Sequence, residues 1–84
     1  MPTKAEFRSE LQSQLREAEL RGTSFEEVNA GQLHRKLGGY PALDHRMPSC
    51  CNVMWEEKRP SDVVLSAPRK GRGASLTIRY QLPR

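Results

Sequence analysis

Polar and apolar residues alternate near the C-terminus in the pattern of a strand with one buried face. The apolar residues of segment 75–82 occupy every second position: Leu76, Ile78, Tyr80 and Leu82. A second β-prone run at 63–67 precedes this segment, and the residues at 68–74 between them include one Pro, two Gly and three cations. The two runs predict an antiparallel hairpin with a long basic loop. Because an isolated hairpin is only marginally stable in water, the upstream residues must supply helices that cover its apolar face.

The first of these helices is predicted by both its start signal and its periodicity. Thr3 and Glu6 have the spacing of a capping box, in which each side chain binds the backbone N–H of the other residue. Apolar residues then recur three or four positions apart, which places them on one helical face: Phe7, Leu11, Leu15 and Ala18. Gly22 is suited to the left-handed position that ends a helix. We therefore predict an amphipathic helix that covers the core.

Residues 24–29 fit either a helix or a strand. Ser24 and Glu27 have capping-box spacing, whereas the two apolar residues of the segment suit a short extended run. We favour a strand that ends at Asn29, because Asn29 followed by Gln32 is the better-placed cap for the next helix.

Two further helices are predicted before the hairpin. The second covers Ala30–Leu37 and stops at Gly38-Gly39, and a loop then leads to a third helix at Pro48–Lys58. The expected apolar stripe of the third helix contains Met47, Cys50, Cys51, Met54, Trp55 and Lys58. Its other face is expected to contain Ser49, Asn52, Val53, Glu56 and Glu57. The predicted fold is an α+β domain over residues 1–84, with three helices packed on a small antiparallel sheet.

The charge of the chain is unevenly distributed. The net charge is +4, and segment 58–84 alone carries seven cations and one acid, so residues 1–57 carry −2. Such asymmetry suits a polyanionic partner such as nucleic acid, although many soluble domains are equally basic without binding one. No apolar run approaches the roughly 18 residues of a membrane span, and the N-terminus lacks the apolar region of a signal peptide. We expect a cytoplasmic protein that does not bind membranes.

The chemistry-bearing side chains do not form a recognised catalytic or metal motif. His34, His45, Cys50 and Cys51 lack zinc-ligand spacing, and adjacent cysteines on a helix point about 100° apart. We expect one reduced cysteine in the core and the other at its boundary. A nucleophilic pair of His34 and Cys50 lacks any sign of an oxyanion site or substrate pocket. The basic loop also lacks the spacing of a phosphate-binding loop. We therefore expect no enzyme activity, no cofactor and no metal.

The predicted order of elements resembles the winged helix-turn-helix superfamily, in which a three-helix unit packs on a small sheet and the last hairpin forms a wing. The resemblance covers Thr3–Leu82. The connection Gly38–Met47 departs from it, since the usual turn between the second and third helices has about three or four residues. The segments 38–41, 45–51 and 73–80 also resemble a pattern in small uncharacterised bacterial proteins, and this second resemblance implies no function.

The superfamily resemblance implies a duplex-DNA partner, with the third helix as the recognition helix. The residues it places near base edges are Ser49, Asn52 and Val53, with Arg46 in the approach to the helix. The residues it places on the wing, where they neutralise phosphates, are Arg69, Lys70 and Arg72. Asn can pair with adenine through two hydrogen bonds. The expected role is non-catalytic, either regulatory or accessory to a larger DNA-acting system.

Each of these features also has a purely structural interpretation. Cations in a Gly-containing loop are often only solvated, and Glu56 and Glu57 would repel phosphate if they faced the groove. The alternative function is a protein-interaction module with no nucleic-acid partner. In that case the apolar face of the first helix, or the strand edge of the hairpin, would dock on a partner or a second copy.

Overall fold

The helices and strands follow each other in the order that the sequence predicts. The computed structural model describes residues 3–37, 47–69, 71 and 73–83. Within these ranges the elements are α1 (Lys4–Leu20), β1 (Phe25–Asn29), α2 (Ala30–Lys36), α3 (Met47–Glu57), β2 (Val63–Ser66) and β3 (Thr77–Gln81). The strands form one antiparallel sheet in the order β1-β3-β2. The predicted α+β class, with three helices and a small antiparallel sheet, is confirmed.

Helix α1 begins and ends where its sequence signals predict. The Thr3 hydroxyl accepts a hydrogen bond from the Glu6 N–H at 3.2 Å, and the Glu6 carboxylate accepts one from the Thr3 N–H at 3.0 Å. Gly22 follows the helix with a φ of 82°, a conformation that glycine adopts without steric cost. The predicted apolar face is buried: Phe7, Leu11, Leu15 and Ala18.

The two faces of the sheet differ in burial. On the inner face, Val28 of β1 lies opposite Ile78 of β3, and both side chains are buried. On the outer face, Glu27 of β1 and Val63 of β2 flank Arg79 of β3, and both flanking side chains are exposed. The predicted hairpin and the predicted strand that ends at Asn29 are therefore confirmed. One irregularity interrupts the β2–β3 register, between Val64 and Ser66.

The helices cover the inner face of the sheet and close the core. Tyr80 of β3 is fully buried, and its hydroxyl donates a hydrogen bond to the Met54 carbonyl of α3 at 2.8 Å. Asp62, in the turn between α3 and β2, is only 4% exposed. Its two carboxylate oxygens accept hydrogen bonds from the backbone N–H groups of Arg59 and Gln81, each at 2.7 Å. This carboxylate therefore joins the turn to the central strand.

Helices α2 and α3 agree with the prediction to within about one residue at each end, a difference that is normal for helix termini. The Asn29 side chain accepts from the Gln32 N–H at 3.1 Å, so the predicted cap of α2 is confirmed. The α3 helix covers Met47–Glu57 where Pro48–Lys58 was predicted. The predicted link between α2 and α3 lies almost entirely outside the described residues.

Two predictions about α3 side chains are wrong. Val53 was placed on the exposed face, but it is fully buried, because it lies three residues after Cys50 and shares its helical face. One cysteine was placed at the core boundary, but Cys50 and Cys51 are both fully buried. The reason is that α3 packs against both α1 and α2 and is also hydrogen-bonded through Cys51 to the hairpin loop. Its buried surface is therefore wider than a single apolar stripe.

Candidate nucleic-acid interface

The exposed face of α3 is narrow and polar. Ser49 and Asn52 are half-buried, and Glu56 is exposed four positions after Asn52 on the same face. Trp55 lies beside this row with 37% of its surface exposed. Together with the exposed Pro48 and the half-buried Glu57, these residues form the accessible surface of α3 in the described side chains.

The loop of the hairpin is attached to α3 by hydrogen bonds. The indole N–H of Trp55 donates to the Gly71 carbonyl at 2.7 Å. Two positions further along the loop, the Gly73 N–H donates to the Cys51 sulfur at 3.2 Å. Gly71 also closes a turn through its N–H to the Pro68 carbonyl at 2.8 Å, with a φ of 77° that favours glycine. The described backbone of the loop is therefore held against α3.

The part of the loop that leads into β3 is held by hydrogen bonds from the start of α2. The N–H of Gly31 donates to the Ala74 carbonyl at 3.2 Å, and the N–H of Ala30 donates to the Leu76 carbonyl at 2.8 Å. A Cβ atom at Gly31 would lie 3.3 Å from that Ala74 carbonyl oxygen, so a side chain there would push the loop away by a few tenths of an ångström. The loop therefore packs between α2 and α3.

The predicted DNA-contacting residues fall into three groups. Ser49 and Asn52 are half-buried on the polar face of α3, and Arg69 is exposed in the turn after Pro68. Val53 is in the core and is not available to a partner. The remaining predicted contacts lie outside the described residues: Arg46, Lys70 and Arg72. The structure thus brings the exposed face of α3 and the backbone of the basic loop to neighbouring positions.

The acids of α3 are paired with polar side chains of α1. Lys4 binds Glu56 at 2.6 Å, and Arg8 hydrogen-bonds the second oxygen of the same carboxylate. Arg8 also lies 3.5 Å from Glu57, whose other oxygen accepts from the Gln12 amide at 3.2 Å. The hydrogen bond from Lys4, followed by the charges of Lys4 and Arg8, lowers the pKa of Glu56 below its usual value. The repulsion expected from the two acids is therefore offset within the protein.

The thiol of Cys50 and the imidazole of His34 are both buried. The Cys50 thiol donates to the Ala30 carbonyl at 3.6 Å, and burial, together with Cys51, raises the pKa of Cys50 to about 12. This thiol therefore stays protonated at neutral pH, and a protonated thiol is a poor nucleophile. His34 is fully buried, and its ring packs at 5.0 Å from that of Phe7. Both groups are components of the core.

A groove of about 390 Å³ runs between α1 and the end of α3. It is lined by Gln12, Leu15, Arg16, Glu19, Glu57 and Arg59. The lining mixes two cations with two acids and includes a single apolar residue, so it lacks the apolar walls of a typical small-molecule site. Among the described residues, no group of three or more His, Cys, Asp or Glu side chains is placed to hold a metal ion.

Comparison with protein-family models, with curated proteins and with solved structures gives no match to this chain. Within the described ranges, no helix is both long enough and apolar enough to cross a membrane. The site must therefore be interpreted from its own geometry and charge.

Trp55 is the residue of this site that sequence reasoning missed. It was assigned to the apolar stripe of α3, yet its indole binds the hairpin loop and remains partly exposed. The signal in the sequence was the residue type itself, because Trp has a large apolar ring and an N–H that usually finds a hydrogen-bond partner when it is buried.

Proposed function

We propose that this chain is a non-catalytic duplex-DNA-binding domain of the winged-helix type, regulatory or accessory to a DNA-acting system. The observation that carries the proposal is the attachment of the basic loop to α3 through Trp55 and Gly71, reinforced by Cys51 and Gly73. Helix and loop then act on one duplex together, with α3 in the major groove and the loop on the adjacent backbone or minor groove.

The topology supports the winged-helix interpretation. Three helices cover one face of a three-stranded sheet, and the chain ends in the β2–β3 hairpin whose loop carries the cations. The pairing of β1 with β3 places the hairpin beside the helices rather than apart from them. A loop fixed to α3 in this way is what a wing requires.

Charge and side-chain chemistry assign the contacts within the proposed site. Arg69, Lys70 and Arg72 place three cations within four residues, and each neutralised phosphate releases condensed counterions. Asn52 has the amide that reads adenine, and Ser49 has a hydroxyl that can donate or accept. The loop therefore supplies affinity and α3 supplies discrimination between sequences.

The proposal is tested by titrating a fluorescently labelled random duplex with the protein at low salt and following its anisotropy. If the three loop cations each bind a phosphate, log affinity against log salt has a slope of about −3 or steeper. Replacing all three with Ala makes that slope shallower by about 2–3. A control for net charge removes three cations elsewhere in the fold: Arg16 on α1, Arg21 directly after α1 and Arg79 on the outer face of the sheet. The variant with all three replaced by Ala should nearly retain the salt slope of the parent.

Two results would contradict the proposal. One is failure of the parent protein to bind duplex at tens of micromolar, and the other is binding by the loop variant equal to that of the parent. In a separate measurement, Asn52→Ala should reduce discrimination between duplex sequences and leave the salt slope nearly unchanged, as expected for a base contact.

The exposed edge of the sheet favours a second candidate function, protein interaction. Strand β2 is at the sheet edge, and Val63 and Leu65 are 47% and 43% exposed on it. The other surface considered for this role, the apolar face of α1, is used in the core and is not available. If β2 pairs with a partner or a second copy, Leu65→Lys should abolish the association seen by sedimentation.

A further inference from the structure

The exposed face of α3 ends in an acid that a DNA-binding surface should not tolerate. Glu56 lies four residues after Asn52 and seven after Ser49, so the three side chains share one face of the helix. Its side chain is 45% exposed. A duplex that contacts Asn52 would therefore approach this carboxylate.

We propose that Lys4 and Arg8 of α1 are intramolecular counterions that make the exposed face of α3 compatible with phosphates. This inference rests on the proposed DNA-binding function and concerns the same surface. Lys4 and Arg8 are positioning and charge-compensating residues in it, and they do not themselves touch the nucleic acid.

The contacts between α1 and α3 are specific in geometry. Lys4 binds one oxygen of Glu56 at 2.6 Å and Arg8 binds the other, so both oxygens of this carboxylate have a cationic partner. Arg8 reaches Glu57 as well, and Gln12 donates to Glu57 at 3.2 Å. The three α1 residues are spaced four apart and form one ridge along α3.

The start of α1 determines where this ridge lies. The capping box of Thr3 and Glu6 fixes the first turn of the helix, and Lys4 lies within that turn. A helix that began a turn later would not present Lys4 to Glu56. The cap therefore places a positive charge beside the acid as well as satisfying backbone groups.

The pairing matters for binding far more than for stability. Exposed ion pairs contribute little to the free energy of unfolding. An uncompensated carboxylate within a Debye length of several phosphates, by contrast, is repelled by each of them, and that length is about 10 Å at moderate salt. Two cations and two acids cancel in formal charge, so the paired cluster leaves the face of α3 nearly neutral.

A cycle of charge-neutralising variants tests the inference by duplex titration at low salt. The variant with Lys4→Met and Arg8→Met should bind about three- to ten-fold more weakly, since Glu56 and Glu57 then lose the two cations of α1. Adding Glu56→Gln and Glu57→Gln should restore affinity to within about two-fold of the parent, because acids and cations are then removed together. The variant with only the two Gln substitutions should bind at least as tightly as the parent.

The competing explanation is that Lys4 and Arg8 bind phosphates directly. In that case the fourfold variant stays as weak as the Lys4/Arg8 variant, and its salt slope is shallower by about 2. That result would overturn the inference and leave the proposed function in place. Equal binding by the Lys4/Arg8 variant and the parent would have the same consequence.

A matched control comes from the acids of β1. Arg21 and Arg79 pair with Glu26 and Glu27, and the Arg79–Glu27 side chains are 37% and 44% exposed, against 37% and 45% for Arg8–Glu56. Replacing Arg21 and Arg79 with Met removes the same charge away from α3. It should change affinity by less than about two-fold, within the effect of bulk charge alone.

A readout without DNA separates the ion pairing from the binding. In the parent, the Glu56 carboxyl should titrate below its usual pKa by NMR, and in the Lys4/Arg8 variant its pKa should rise toward the usual value. An unchanged Glu56 pKa would overturn the inference independently of any titration with duplex. Failure of the parent protein to bind duplex would overturn both the proposed function and this inference.

Discussion

Replacement of Asp62 is the sharpest test of how the hairpin is fixed to the helices. The Asp62 carboxylate is 4% exposed and accepts from the N–H groups of Arg59 and Gln81, each at 2.7 Å. Asp62→Ala removes both acceptors and leaves two backbone donors in a place that water reaches poorly. An unsatisfied buried donor costs about 1–3 kcal/mol, so the two together should cost about 2–6 kcal/mol. Domains of this size have about 5–15 kcal/mol in total.

The measurement is urea unfolding followed by circular dichroism, with the midpoint and slope fitted for each variant. Asp62→Asn keeps one acceptor oxygen but turns an amide toward the other donor, so it should lose at least half as much as Asp62→Ala. Ser61→Ala, at the exposed neighbour in the same turn, should change the free energy of unfolding by less than about 0.5 kcal/mol. A loss below about 1 kcal/mol for Asp62→Ala would refute the reasoning, since the turn would then be held by other contacts.

Three further predictions address the core, its titration and the loop. Ile78→Ala should cost about 2–4 kcal/mol by urea unfolding, and Thr77→Ala on the other sheet face should cost less than half of that; equal losses would mean that the register is wrong. Burial raises the pKa of Cys50 from 9.0 to about 12. The protonated thiol therefore makes its full contribution to the free energy of unfolding below about pH 9, and this contribution is lost as the pH rises toward 12. At about pH 10 the loss should be on the order of 1 kcal/mol, and Cys50→Ala should lack this part of the pH dependence. Trp55→Phe removes the hydrogen-bond donor to the Gly71 carbonyl and should cost about 0.5–1.5 kcal/mol by urea unfolding. It should also speed amide hydrogen exchange at Gly71, and an unchanged exchange rate would contradict the role of the indole in holding the loop.

Local signals in the sequence predicted the elements well. The capping box of Thr3 and Glu6, the cap at Asn29 and the alternation in segment 75–82 each involve residues a few positions apart. Their physical effect is local, so it can be inferred without knowing the rest of the fold. The same holds for the choice of a strand at 25–29, which followed from the better cap at Asn29.

Burial and charge pairing were harder to predict, because they depend on distant segments. Val53 is buried because α3 packs against several other segments of the chain, so its buried face is wider than the stripe expected from the sequence. The partners of Glu56 lie 52 and 48 positions away in sequence. The contact of Asp62 with Gln81 joins residues 19 positions apart. Such pairings are determined by packing, so the candidate site became visible only in the folded chain.

The strand order also determines when the sheet can form. The central strand β3 is the last of the three in sequence, and its partner β1 precedes it by 48 positions at the Asn29–Thr77 pair. The β2–β3 hairpin closes a much shorter loop, so it can form early, whereas joining β1 requires closure of a long one. During synthesis, α1, β1 and α2 therefore remain without their sheet partner until β3 has emerged from the ribosome. Truncation before Thr77 would remove the centre of the sheet rather than an edge, leaving two strands with no common partner.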